Sequence, residues 1–355
     1  MPPDRNSFYY FDEPSGREAR PAWADVPAGI VSGIETLVKS RIIAAETLWG
    51  GFGPSAVFSA TLASGKKIFI KGTHPGQDAH GAAMLRQETE AHRLIPCLKN
   101  IAPQILGVVE DGDEDGWMLG VFEHIDTLPV LPWTREKLEK VFLLLKPLHS
   151  CDVKELAAGF PQARTKNFTE NFFKADRGWA LLGREQERAE RFLALFENRD
   201  DGHAWFAQIL PVFVAAAERG FSGREGILHT DLRSDNILFS EAGRALIADW
   251  PDFCFGPVTL DMAYFISCVA GESPFSPEEL KNTYEEATGI ALGKNDLLAA
   301  LSVLSGYFAD QACRAVPAKL PRLRWIQKNV LWSMLLWSAS LSGTASPPPF
   351  SGLRR

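Results

Sequence analysis

A chain of 355 residues with a formal net charge of −7, 46% hydrophobic and 23% charged residues has the composition of an ordinary soluble globular protein with room for two cores. Its acidic balance offers no electrostatic footprint for nucleic acid or anionic lipid, and no basic run exceeds Lys66-Lys67 or the terminal Arg354-Arg355. The five cysteines, Cys97, Cys151, Cys254, Cys268 and Cys313, are scattered and form no Cys-x-x-Cys pair, which argues against a disulfide framework or a zinc site and fits a reducing cytoplasm.

Residues 1–22 are polar, rich in Pro and Gly, lack the apolar core of a signal peptide, and read as an N-terminal arm. Asp25 as an N-cap, Pro27 in the first turn, and Ile30, Ile34 and Val38 at helical spacing predict a helix. Residues 46–49, the glycine-rich stretch Gly50-Gly51-Phe52-Gly53-Pro54-Ser55 and residues 56–62 read as strand, turn and strand. Taken alone, that pattern is an ordinary hairpin. Ser64-Gly65 then reverses the chain into a strand with Ile68 and Ile70 on one face and Lys67, Phe69 and Lys71 on the other. An acidic helix over 84–95 follows, carrying Glu88 and Glu90. Asp111 to Gly116 imitates the start of a calcium loop, but Phe122 stands where that loop needs a glutamate. A hairpin turn between the apolar runs 105–109 and 117–122 is the better account.

From Trp133 the pattern turns helical, with Leu138, Val141, Phe142, Leu145 and Leu148 on one stripe ending near His149. Further helical patterns fill 168–220 and 278–337, and their aromatics read as packing. The strongest apolar run, 330–341, is shorter than the roughly 20 residues of a membrane span and reads as a buried helix. Residues 343–355, with three consecutive prolines, read as a flexible tail.

Chemistry concentrates in one stretch, Gly226-Ile-Leu-His229-Thr-Asp231-Leu-Arg-Ser-Asp-Asn236-Ile-Leu-Phe239, followed by Ala245-Leu-Ile-Ala-Asp249-Trp250. In kinases a catalytic-loop Asp accepts the proton of a substrate hydroxyl, an Asn five residues on holds Mg²⁺, and an Asp after the next strand holds Mg²⁺ against the phosphates. Asp231, Asn236 and Asp249 have that order. Residues 237–239 and 245–248 read as a hairpin about the turn 241–244, which carries Asp249 back beside Asn236. His229 has two readings, a catalytic-loop residue or a buried histidine bonded to backbone.

The run His229-Thr-Asp231-Leu-Arg-Ser-Asp-Asn236 with Ile247-Ala-Asp249-Trp250 resembles the signature of the aminoglycoside phosphotransferase and choline kinase family, in an uncharacterised bacterial form. The resemblance implies an α+β, two-lobed, protein-kinase-like fold. An N-lobe over 23–124 would be a small antiparallel sheet with a helix, and a C-lobe over 125–342 would be mainly helical. It further implies ATP and Mg²⁺ as cofactors and a small-molecule hydroxyl as acceptor, with no nucleic-acid or membrane partner. An aminoglycoside is the acceptor the family name offers, and a metabolite such as an amino alcohol, homoserine or a sugar is the alternative.

Under the same resemblance Gly51, Gly53 and Ser55 become the loop over the phosphates, although Ala56 replaces the third glycine of the kinase pattern. Lys71 becomes the phosphate lysine, with Glu88 favoured over Glu90 as its partner. Glu123 and Ile125 would bind the adenine through main-chain groups, and Asp261 would brace the catalytic loop. Asp231, His229, Lys71 and Glu88 are thus the catalytic candidates, and Asn236 and Asp249 the metal ligands. Trp250-Pro251 in place of Phe-Gly speaks against a protein kinase with a regulated activation loop. A non-catalytic nucleotide-binding module is disfavoured because base, metal ligands and lysine are all present. Asp252, Glu272, Asp296 and Asp310 are candidates to line an acceptor cleft.

Overall fold

The computed structural model describes residues 20–49, 55–75, 80–112, 116–159, 177–318 and 320–353. The expected glycine loop around Gly51 and Gly53, residues 113–115 of the calcium-like turn and most of the N-terminal arm lie outside them.

Five short strands form the first half: β1 Ile42–Thr47, β2 Ala56–Leu62, β3 Lys67–Thr73, β4 Ile105–Glu110 and β5 Met118–Glu123. They make one antiparallel sheet in the order β1-β2-β3-β5-β4. Side chains alternate across a strand, so the sheet presents two different faces. Phe58, Ile68, Ile70, Leu119 and Val121 pack against Ile30 and Ile34 of helix α1, Ala28–Val38. Met118 and Phe122, with Phe69, meet Ala82 and Leu85 of helix α2, His80–Leu94. Lys71 shares the parity of Phe69 and therefore faces α2. The expected first helix exists, but Asp25 does not cap it. Asp25 closes the preceding short turn by accepting the Ala22 N–H at 2.8 Å, and Pro27 occupies the cap position.

After the one-turn helix α3, Leu98–Ile101, and a connector beyond Glu123, the chain becomes mostly helical. The short strands are β6 Thr127–Leu128, β7 Glu225–Leu228, β8 Ile237–Ser240, β9 Ala245–Ile247 and β10 Cys254–Pro257, paired as β6-β8-β9 and β10-β7. The helices are α4 Arg135–His149, α5 Val153–Gly159, α6 Trp179–Arg184, α7 Gln186–Leu193, α8 Arg199–Arg219, α9 Val258–Glu272, α10 Pro277–Thr288, α11 Lys294–Ala312 and α12 Leu323–Ser342. Their ends follow local rules. Thr134 caps α4, and Ser276, Pro277 and Glu279 start α10 with a capping box before Gly289 stops it in the left-handed conformation. Helix α9 is buried along nearly its whole length and forms the centre of this half, against α11 and α12. The apolar run of α12 buries Val330, Leu331, Met334 and Leu335 in the same core. No described helix is long and apolar enough to cross a membrane.

The tail corrects an expectation. Residues 343–353 are tied down: Phe350 is 1% exposed, packs on Phe196 at 4.8 Å between ring centres, and is flanked by Glu197 N–H to Pro349 O and Ser351 N–H to Leu195 O, both 2.8 Å. Three prolines leave the backbone few donors to satisfy, and one buried aromatic anchors the segment.

Candidate active site

Strand β3 and helix α2 set up the first part of the site. Val57 pairs with Lys71 across β2 and β3, and Ser55 stands one residue before β2 begins. Gly72 follows, and a Cβ there would sit 2.0 Å from the Met118 carbonyl, so only glycine permits this approach of β3 to β5. The Lys71 ammonium lies 2.8 Å from Glu88 Oε2 and 2.7 Å from Asp249 Oδ1. Glu88 follows Ala82 and Leu85 on one helical stripe and is buried, and its other oxygen accepts the Trp250 N–H at 3.3 Å. Glu90 points outward to Arg93 at 2.6 Å. Burial opposes charge on Lys71, but Asp249 and Glu88 together raise its pKa above the ordinary lysine value. Burial raises Glu88 against the pull of Lys71, whereas for Asp249 burial is opposed by Lys71 together with Arg233 and His229, and its pKa is lowered.

The second part is the loop between β7 and β8. Asp261, in the first turn of α9, accepts the N–H groups of His229 at 2.7 Å and Thr230 at 2.8 Å. His149 lies 3.6 Å behind the same carboxylate and is held by Tyr284 at 2.8 Å, a buried brace and not a catalytic group. Thr230 is left-handed at φ 68°, a strained conformation for a β-branched residue, and its hydroxyl donates to the Asp252 carbonyl at 3.0 Å. His229 accepts the Asp231 N–H on Nδ1 at 3.2 Å and donates Nε2–H to the Ala248 carbonyl at 2.9 Å. Burial lowers its pKa despite Asp261. Both ring nitrogens of His229 are thus engaged by backbone groups of the loop and of the strand after it.

Asp231 Oδ2 is held by Arg233 at 3.2 Å and by Asn236 Nδ2 at 3.1 Å, while among the described residues Oδ1 meets the Tyr264 hydroxyl alone, at 3.5 Å. Burial, reinforced by Asp235, Asp249 and Asp252 and opposed by Arg233, pushes Asp231 up to about 7. Asn236 also donates to the Asp231 carbonyl at 2.8 Å, which turns its amide oxygen away from the loop. The β8–β9 hairpin, pairing Ile237 with Ile247 and extended by Ala248 N–H to Asn236 O at 2.8 Å, carries Asp249 to the lysine. Asp249 is left-handed at φ 70°, and its side chain stays 43% exposed.

No three of His, Cys, Asp or Glu converge as a metal cage among the described residues. A magnesium ion needs none, because it keeps waters and takes one or two protein carboxylates plus phosphate oxygens. Asn236 and the open carboxylate of Asp249 fit that donor set. At the connector, the Glu123 N–H is taken by the Gln104 carbonyl at 2.9 Å, which leaves its own carbonyl, and Ile125 follows just past the strand end. Arg233 and Tyr264 were missed as site residues in the sequence. Arg233 stood inside the motif, two positions after Asp231, whereas Tyr264 is signalled only by contact.

Three of the four carboxylates expected as candidates for an acceptor cleft have partners within the fold. Glu272 is bonded to Ser234, Asp296 accepts the Ser222 N–H at 2.9 Å, and Asp310 pairs with Arg188 at 2.6 Å and with Arg314.

Comparison with known proteins extends this picture. Residues 45–296 match the model of a phosphotransferase enzyme family. A search of curated proteins by sequence gave no match. Among solved structures, a spectinomycin phosphotransferase in complex with ADP and spectinomycin superposes with a TM-score of 0.57 at 14% identity, over 90% of this chain and 99% of that one. The Plasmodium vivax ethanolamine kinase superposes at 0.54 and 16% identity over 86% and 85% of the chains. An ADP-bound aminoglycoside phosphotransferase does so at 0.53 and 16% over 87% and 98%. These likenesses show the two-lobed, kinase-like α+β fold. With more than half of its length matching the family model, the chain belongs to the phosphotransferase enzyme family.

Proposed function

We propose that the protein transfers the γ-phosphate of ATP, with Mg²⁺, to a hydroxyl of a small molecule. One observation carries the reading: Lys71 from the sheet half lies 2.7 Å from Asp249 in the helical half, so phosphate lysine and metal carboxylate share one cleft. Nucleotide in the solved relatives, ADP in the spectinomycin and aminoglycoside phosphotransferases, supports it.

Lys71, steadied by Glu88, holds the phosphates, and the glycine stretch around Gly51, Gly53 and Ser55 closes over them. The carbonyl of Glu123 and the N–H of Ile125 bind the base. Asn236 and Asp249 hold magnesium, which when bound supplies charge neutralisation to the developing phosphoryl. Asp231 Oδ1, the oxygen not engaged by Arg233 and Asn236, orients the acceptor hydroxyl and takes its proton. A pKa near 7 suits a base, and such a group contributes ~10²–10⁴-fold. Arg233 keeps Asp231 in register. The acceptor is an aminoglycoside-type compound or a hydroxylated metabolite.

The test is ADP release from Mg·ATP over a panel of antibiotics and hydroxylated metabolites. Stimulation by a panel member is expected, and Asp231→Asn should keep ATP binding while transfer falls by ~10²-fold or more. Undiminished transfer in Asp231→Asn would refute the base assignment.

A further inference from the structure

One turn of α9 touches three successive residues of the loop that carries the base. Asp261 accepts the N–H groups of His229 and Thr230 at 2.7 and 2.8 Å. Tyr264, three residues on and therefore on the same face of the helix, aims its hydroxyl at Asp231 Oδ1 from 3.5 Å. The tyrosine is 8% exposed, and a buried phenol needs a partner; among the described residues this carboxylate oxygen is the one it meets. Burial, with the charge of Asp231, raises the hydroxyl above its ordinary value of 10, so it stays protonated and donates.

Packing locks the ring. It stacks on Phe308 of α11 at 5.8 Å between centres and 22° between planes, and Tyr307 meets Phe308 edge-on at 5.3 Å. Around it on α9, Met262, Ala263, Phe265 and Cys268 are all fully buried. The two groups on Asp231 Oδ2 are of another kind. Arg233 and Asn236 belong to the loop itself, and Arg233 is in turn held by Asp235 at 2.9 and 3.1 Å. They move with the loop, whereas Tyr264 stands on the core. Its contact of 3.5 Å is longer than the roughly 2.7–2.8 Å of a full O–H···O bond, so it limits where Oδ1 can swing and leaves that oxygen open to an acceptor. A reacting group must be held within about 0.5 Å of its productive position, and a rigid element does this better than a loop.

We infer that Tyr264 is a positioning residue for the transfer step: its hydroxyl, fixed by α9 and by the stack on Phe308, aims Asp231 Oδ1 at the acceptor hydroxyl. The inference rests on the phosphotransfer reading and adds to it the residue that sets the direction of the base. Tyr264 acts through Asp231 and takes no proton itself.

The experiment is Tyr264→Phe in the full chain, which removes the hydroxyl and keeps the ring on Phe308. The probe is Mg·ATP with the panel compound that gives the fastest transfer. The variant's kcat should fall by about ten- to a hundredfold, the loss expected when a reacting group is misplaced by up to ~1 Å. KM for ATP, KM for that compound and the thermal midpoint should stay as in the parent. Coupling to the base is the readout that a merely structural tyrosine would not move. In Asp231→Asn, adding Tyr264→Phe should change the residual turnover by less than about twofold, because no base remains to be aimed. A kcat within about twofold of the parent, a loss confined to the acceptor's KM, or an equal loss in the Asp231→Asn background overturns the inference. No transfer by the parent to any panel compound sinks the phosphotransfer reading and this inference with it, whereas parent transfer that Tyr264→Phe leaves intact sinks the role of the tyrosine alone.

Discussion

Two acidic side chains with similar chemistry behave differently because their neighbours differ. Asp249 faces Lys71 and ionises readily, whereas Asp231 is pushed up to about 7 by burial and the surrounding carboxylates. The second shift has a sign that stability measurements can read. A carboxylate whose folded pKa lies above its ordinary value of 3.8 holds its proton more tightly in the native than in the unfolded state, so native stability falls as pH rises through that window. In the metal-free protein, Asp231→Asn should therefore raise the thermal midpoint at pH 8 and leave it nearly unchanged at pH 4. A midpoint at pH 8 equal to or below that of the parent would contradict the upward shift of Asp231. Glu88 supplies a second residue-scale prediction. Glu88→Gln removes one of the two anions that fix the Lys71 ammonium and should lower kcat by ~10²-fold, the usual loss when one preorganised electrostatic contact is taken away. Glu90→Gln, whose parent carboxylate pairs with Arg93 on the outer face of α2, should leave kcat alone.

At the scale of elements, the loop from His229 to Asn236 is held in place by α9. The Asp261 carboxylate satisfies two successive N–H groups, and it is this pair of bonds that lets Thr230 keep its left-handed backbone. Asp261→Asn would set an amide NH₂ against a buried N–H. It should cost about 1–3 kcal/mol by chemical denaturation, the range for one orphaned buried donor, with a loss of kcat that exceeds any change in nucleotide affinity. The β8–β9 hairpin was legible in the sequence because everything it needs is local: alternation, a turn at 241–244 and a short return strand. The brace by Asp261 came only from the family likeness. The choice of Glu88 over Glu90 came from the family likeness through the apolar residues of the helix, and Glu88 does share the buried stripe of Ala82 and Leu85. The pairing of Arg188 with Asp310, 122 positions apart, and the anchoring of Phe350 against Phe196 are set by how distant helices pack, so neither left a trace in spacing.

Over the whole molecule the two halves meet through charge at the cleft. Lys71 reaches from the sheet to Asp249, while the helical core built on α9, α11 and α12 supplies a rigid floor below Asp231. A ligand that spans both halves should tie them together: Mg·ATP at about 100 times its dissociation constant should add about 2.7 kcal/mol to stability. The central claim is that the side chains of residues 71, 236 and 249 form one metal and phosphate site, and its most direct measurement is ATP affinity titrated with and without Mg²⁺ in the parent and in Asp249→Ala. The parent should bind ATP more tightly with magnesium, and Asp249→Ala should retain metal-free binding, lose the magnesium enhancement and show no turnover. A magnesium enhancement of equal size in Asp249→Ala, or turnover that survives it, would contradict the account.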